Sequence, residues 1–271
     1  MAPQDQKKTF PKDLATRVAS ALVLIPLIIY LVVKGGFYVK GLLIALTFLL
    51  GYEYARLTRL SDKTRAVFTA GVFATIWWLV AAVPAEGFID GVMVMAIAGA
   101  TVIGVGVILK KVRMCWAGFG VAYISIPMFS LALIALNPLG VSWLLWMLAL
   151  VWANDSGAYF FGKAIGGPKL VPTISPKKTW AGLAGGVVMA AGAGAGAAYY
   201  LELANLFYLA LAAGLLALWA QLGDLTESFI KRKFGAKDSG YLIPGHGGVL
   251  DRVDGLLFVA PALALALELM A

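Results

Sequence analysis

Apolar stretches of 16 to 25 residues recur along the chain, separated by short clusters of charged, glycine and proline residues. A bilayer crossing needs roughly 20 mainly apolar residues. The pattern predicts an all-α, polytopic integral membrane protein with nine transmembrane helices, at approximately 17–33, 41–57, 66–83, 88–109, 117–136, 142–162, 182–201, 205–229 and 252–270. The weakest division, between the third and fourth spans, rests on Pro84 to Asp90; "NPLG" is a turn signal between the fifth and sixth. The first run follows Lys7, Lys8, Lys12 and Arg17 and passes into Lys34 without a small-residue cleavage pattern, so it reads as a span and not a signal peptide.

Charge fixes the expected orientation. With the amino terminus in the cytoplasm and sides alternating, 20 of the 22 basic residues fall in inner segments; only Lys34 and Lys40 remain outside. This is the loop bias of the positive-inside rule. It also accounts for the net charge of +8 without nucleic acid as a partner.

Composition excludes a soluble domain. The chain is 61% hydrophobic and 13% charged, where soluble domains carry about 25% charged residues; the mean hydropathy is +0.88. A single cysteine, Cys115, excludes a disulfide framework and a multi-cysteine metal site. "AAGAGAGAAYY" at 190–200 has the small residues that let membrane helices approach closely. No internal repeat supports an inverted-repeat transporter.

The candidate chemistry is lopsided. Before residue 150 the spans hold almost no acid, Glu53 being the exception. The sequence thus divides into helices 1–140, read as scaffold and dimerisation surface, and a catalytic half, 141–271, with two polar cytoplasmic loops. Ionisable groups in or beside spans are costly and read as functional by default. Asn154 and Asp155 sit in the inner half of span six; Asp155 pairs with a base, binds a metal or supports a helix kink. Lys177 and Lys178, in "PTISPKKTWAG", either meet phosphate or anchor the loop at the membrane surface. Asp224, Glu227, Ser228 and Lys231 fall at i, i+3, i+4 and i+7, on one helix face, as a site or as an internal salt-bridge set. Asp251 and Asp254 share a face at the start of span nine, where the helix dipole favours negative charge. "PGHGG" offers a close-approach backbone; His246 is a base, a phosphate donor or a hydrogen-bonded turn residue. Alternating topology brings all four clusters to the cytoplasmic face. Carboxylates beside a surplus of cations suit phosphate and a hard cation such as Mg²⁺. There is no Walker A loop and no recognisable hydrolase triad.

"SFIKRKFGAKDSGYLIPGHGGVLDRVD", 228–254, resembles the signature of the phosphatidate cytidylyltransferases, or CDP-diacylglycerol synthases: Ser, two residues, Lys-Arg, a gap, Lys-Asp, Pro-x-His-Gly-Gly and Asp-Arg-x-Asp. "GDLTES" and "SPKKTW" extend the likeness over about residues 150–271. One departure stands out, Ala181, where the family usually has glutamate. The resemblance implies transfer of a cytidylyl group from CTP to phosphatidic acid, with Mg²⁺ as cofactor, in a bacterial inner membrane, the site facing the cytoplasm and the enzyme a homodimer. It implies Asp224 and Asp251 as Mg²⁺ ligands, with Asp254 in support or on a second cation. Lys237, His246 and Arg252 join these as catalytic candidates. Asn154, Asp155, Ser175, Lys177, Lys178, Ser228, Lys231 and Arg232 are the candidates for substrate binding. The alternatives are a CTP-dependent polyprenol or phytol kinase and, in another class, a membrane transporter.

Overall fold

The structure, a computed structural model, describes residues 10–81, 88–203, 205–245 and 247–270. Among them nine helices follow in order: α1 (Phe10–Lys34), α2 (Gly36–Leu57), α3 (Asp62–Ala81), α4 (Phe88–Ile108), α5 (Val112–Leu136), α6 (Gly140–Ala164), α7 (Trp180–Tyr200), α8 (Leu206–Lys233) and α9 (Leu250–Leu269). They fall where the apolar runs predict them. The expected break at Pro84 to Asp90, like Lys7, Lys8, Glu86 and His246, lies wholly or partly outside the described residues.

Five of these helices, α2, α4, α5, α7 and α8, are long and apolar enough to cross a bilayer. The apolar stretch of α1 is shorter, Val18–Lys34; α3 carries Asp62, Lys63 and Arg65 at its start, and α6 and α9 carry ionisable residues along their length. Large apolar side chains face outward over the bundle, among them Leu22, Phe73, Trp77, Val188 and Leu215. Such a surface matches a hydrocarbon solvent, where helices satisfy their own backbone groups. The fold is that of an integral membrane protein.

The all-α expectation needs one amendment. Between α6 and α7 lies an antiparallel hairpin of β1 (Lys169–Val171) and β2 (Ser175–Thr179), paired Lys169 to Thr179 and Val171 to Ser175. Pro172 and Pro176 argued for a loop, since proline cannot donate to a ladder; Pro172 lies in the turn, and a two-strand ribbon is all edge and tolerates Pro176.

Small residues set the packing that shapes the functional end. The buried face of α7 is Gly182, Gly185, Gly186, Ala190, Gly194 and Ala198. A Cβ on Gly182 would come within 2.8 Å of the Ala158 carbonyl, and one on Gly157 within 2.7 Å of the Gly185 carbonyl. The backbones of α6 and α7 are therefore close enough that no larger residue fits, the expected geometry for helices held by dispersion contacts in lipid. Trp146 Nε1 donates to the Gly194 carbonyl at 2.8 Å and fastens the pair at its far end. Gly223 does the same for α8 and α9, since a Cβ there would collide with the Asp254 carbonyl. That approach brings Asp224 and Asp254 side by side.

Candidate active site

One end of the bundle holds a cavity of about 420 Å³. Its walls come from the last turns of α6 and α8, the first turns of α7 and α9, and β2. The lining includes Asp155, Asp224, Asp238, Asp251 and Asp254 together with Lys177, Lys178, Lys231 and Arg252. Five carboxylates and four cations thus face one space. A second cavity, of about 480 Å³, is lined by Arg56, Arg59 and Arg65 beside Tyr52, Ala55 and Leu60 and has no carboxylate in its wall.

Each wall places its groups by local means. The β2 strand carries Lys177 and Lys178 to the cavity, and Thr179 then caps α7, its Oγ1 accepting from Gly182 N at 3.0 Å. Lys178 ion-pairs with Asp224 of α8. Ser228 Oγ donates to Asp224 Oδ1 at 3.3 Å from one turn below, bracing the same carboxylate.

The backbone at Ser239 and Gly248 is held against the start of α9 by Asp251. Its Oδ2 accepts from Gly248 N at 2.8 Å and Ser239 N at 3.0 Å, and its Oδ1 faces Lys231 Nζ at 2.7 Å. Glycine is required in the turn. Gly247 has φ +85°, a left-handed backbone that side chains resist, and a Cβ there would lie 2.9 Å from Asp251 Oδ2.

Asp224, Glu227 and Asp254 form a tight carboxylate group, with one oxygen of each within 4.8 Å of the others. Glu227 is fully buried and ion-pairs with Lys231. Lys231 therefore serves Glu227 and Asp251 together, while Lys178 serves Asp224. Oxygen donors converging with this little cationic compensation fit a hard divalent ion. Sequence reasoning put Asp251 among the metal ligands and left Glu227 out. Here Glu227 stands within the group, and Asp251 spends its oxygens on two amides and an ammonium. The i, i+3 spacing of Asp224 and Glu227 carried that signal.

The remaining candidates divide. Asn154 is buried at the contact of α6 with α7, its Oδ1 against Gly186; it shapes the wall and does not line the cavity. Ser175 begins β2 away from the cavity lining. Arg232 ties elements together, donating from Nε to the Ile174 carbonyl at 3.3 Å and from Nη1 to the Ala236 carbonyl at 3.1 Å. Lys237 is exposed outside the lining, and its neighbour Asp238 faces in. Ala181 is half-buried in the first turn of α7, between Thr179 and Gly182 of the wall. Gln221 and Asp238 are additions that the sequence reading had not placed in the site.

The chain matches the model of the "Cytidylyltransferase family" over residues 15–270. It is 37% identical over 257 residues to the "Phosphatidate cytidylyltransferase" of Brucella suis biovar 1 (strain 1330), covering 93% of both chains. Shorter matches include the proteins of the same name from Bacillus subtilis (strain 168), 43% identical over 145 residues, 49% of this chain and 50% of that one, and from Rickettsia bellii (strain RML369-C), 45% identical over 153 residues, 53% and 65%.

Proposed function

Because this chain belongs to the cytidylyltransferase family, we propose that it transfers the cytidylyl group of CTP to phosphatidic acid, giving CDP-diacylglycerol and pyrophosphate. It is a nucleotidyltransferase of phospholipid synthesis. The observation that carries the reading is the cavity itself, where Lys177, Lys178, Lys231 and Arg252 meet Asp155, Asp224, Asp251 and Asp254 at one end of a membrane bundle.

The chemistry asks for little beyond placement. A phosphate oxygen of the lipid, already anionic, bonds to the α-phosphorus of CTP as the bond to the bridging β-phosphate oxygen breaks. Pyrophosphate leaves with that electron pair. No side-chain nucleophile is needed, and the reaction depends on positioning and charge stabilisation. Lys177 and Arg252 reach the cavity with no ion pair among the described residues and are free to meet phosphate. Lys178 is shared, so an arriving phosphate competes with Asp224 for it. Lys231, held by Glu227 and Asp251, keeps the carboxylates and the 237–250 segment in place.

Asp224, Glu227 and Asp254 would hold Mg²⁺, with Asp251 beside them and Asp254 the group for any second cation. When bound, the ion supplies positive charge to the triphosphate. Asp155, in the wall, limits where that phosphate chain lies. His246, Lys237 and Ser175 stay candidates through the signature alone.

The topology follows the same reading. Nine spans, a cytoplasmic amino terminus and a cytoplasmic site in the inner membrane explain the loop charge bias. Lipid then enters sideways between helices while CTP arrives from the cytoplasm. Residues 1–140 give the scaffold and the homodimer surface, and 141–271 the catalytic half.

Purified protein, labelled CTP, phosphatidic acid and Mg²⁺ test the reaction: labelled CDP-diacylglycerol and pyrophosphate should form together. Release of CDP with phosphorylation of an isoprenoid alcohol would instead support the lipid-kinase alternative.

A further inference from the structure

Glu53 lies in α2, far from the signature in sequence, yet only 1% of it is exposed. Among the described residues no basic side chain pairs with it. Its partners are all in the segment leading into α9: Oε1 accepts from Val249 N at 2.9 Å, and Oε2 from Leu250 N at 2.8 Å and from Ser239 Oγ at 3.3 Å. The first amides of a helix have no intrahelical acceptor, and Val249, at the N-cap position of α9, makes no side-chain cap. Glu53 supplies that cap from another helix, where the dipole favours its charge.

The fit leaves no slack. A Cβ on Gly240 would lie 2.5 Å from Glu53 Oε1, and one on Gly248 2.7 Å from Oε2. Glycine at both positions lets the backbone close around the carboxylate from two sides. Two carboxylates thus grip the same backbone. Ser239 gives its hydroxyl to Glu53 and its amide to Asp251; Gly248 N turns to Asp251, and the next two amides turn to Glu53.

We propose that Glu53 is a positioning residue of the active site: by clasping Ser239, Val249 and Leu250 it sets the register of 238–251 and so aims Asp251, Arg252 and Asp254 into the cavity. It touches no substrate. Its role makes α2 a working part of the site and not scaffold alone. The inference rests on the cytidylyl-transfer reading only for its assay; its structural half needs no substrate. Misplacing reacting groups by about 1 Å can cost on the order of 100-fold in rate.

Glu53→Gln keeps the shape but turns one acceptor into a donor aimed at an amide. Turnover of CTP with phosphatidic acid should fall at least 30-fold. Hydrogen exchange of amides 247–251 should quicken at least tenfold, while exchange in α6 and α7 and the melting temperature in detergent stay near wild type. Exchange that rises throughout the chain, or turnover per folded molecule that stays unchanged, would overturn the proposal. If Glu53→Gln does not fold, Ser239→Ala decides: it removes one hydroxyl contact, and at least a threefold lower turnover with quicker local exchange supports the proposal, whereas unchanged turnover sinks it. Inactivity of the wild-type protein in this assay would count against the cytidylyl-transfer reading, leaving the exchange result to judge Glu53.

Discussion

Lys231 Nζ stands 2.7 Å from Asp251 Oδ1 and pairs at the same time with Glu227, so one ammonium joins the end of α8 to the first turn of α9. The pairs are nearly dry: 12% of the lysine side chain is exposed, 6% of the aspartate and none of the glutamate. Substitution Lys231→Met would leave two buried carboxylates facing each other. Breaking a buried pair from one side typically costs about 3–5 kcal/mol. The expected result is a clear drop in melting temperature in detergent and loss of product formation. A variant that melts like wild type would show that the bridge is not needed for stability.

Asp224→Asn and Asp251→Asn should each cut product formation at least 100-fold in folded protein, by different routes. Asp224 belongs to the carboxylate group and Asp251 holds the 237–250 segment by Ser239 and Gly248 amides. Asp224→Asn and Glu227→Gln should therefore raise the Mg²⁺ concentration needed for any residual activity at least tenfold. A magnesium titration read by CDP-diacylglycerol yield checks this. An unshifted midpoint in both variants would remove these two residues from the cation site, and full activity in Asp224→Asn would remove the assignment altogether.

Glycine positions separate packing from the bare cost of glycine. Gly223→Ala should lower both stability and activity, because its methyl would meet the Asp254 carbonyl and push α9 from α8. Gly192→Ala in α7 meets nothing within 4 Å and should be neutral or stabilising by up to about 1 kcal/mol, the helix preference for alanine. Thermal melts of the two proteins, run side by side, distinguish the cases.

Tyr241 is 79% exposed in the segment before α9. In a Cys115→Ser background, Tyr241→Cys should react with a membrane-impermeant maleimide in inside-out vesicles and stay unlabelled in intact cells. Labelling from the outside would reverse the proposed orientation.

The helices were legible because long apolar runs leave the backbone one way to satisfy itself in lipid. The packing stripe in α7 was legible in part: the small residues at 190–200 suit close helix approach, and the buried face extends back to Gly182. The cluster of Asp155, Asp224, Asp251 and Asp254 followed from alternating sides alone. Local arrangement was not readable. Lys177 and Lys178 sit on a strand, where the prolines at 172 and 176 had suggested a loop. Arg232 and Lys237 belong to the signature, but the first ties backbone carbonyls and the second faces away. Glu53 was visible as an isolated acid. Its partners, Val249 and Leu250, are 196 and 197 residues onward, a separation that no spacing rule bridges.

The glycine and alanine seam between α6 and α7 has a bearing on how far the cavity can change shape. Residues that short have no alternative rotamers to exchange, so this partition cannot swell by reshuffling side chains. The contact of α8 with α9 is closed in the same way, Gly223 against the Asp254 carbonyl and Gly255 against Ala220. The cavity walls carried by α6 and the Thr179-capped start of α7 therefore keep one spacing, whatever lies between them.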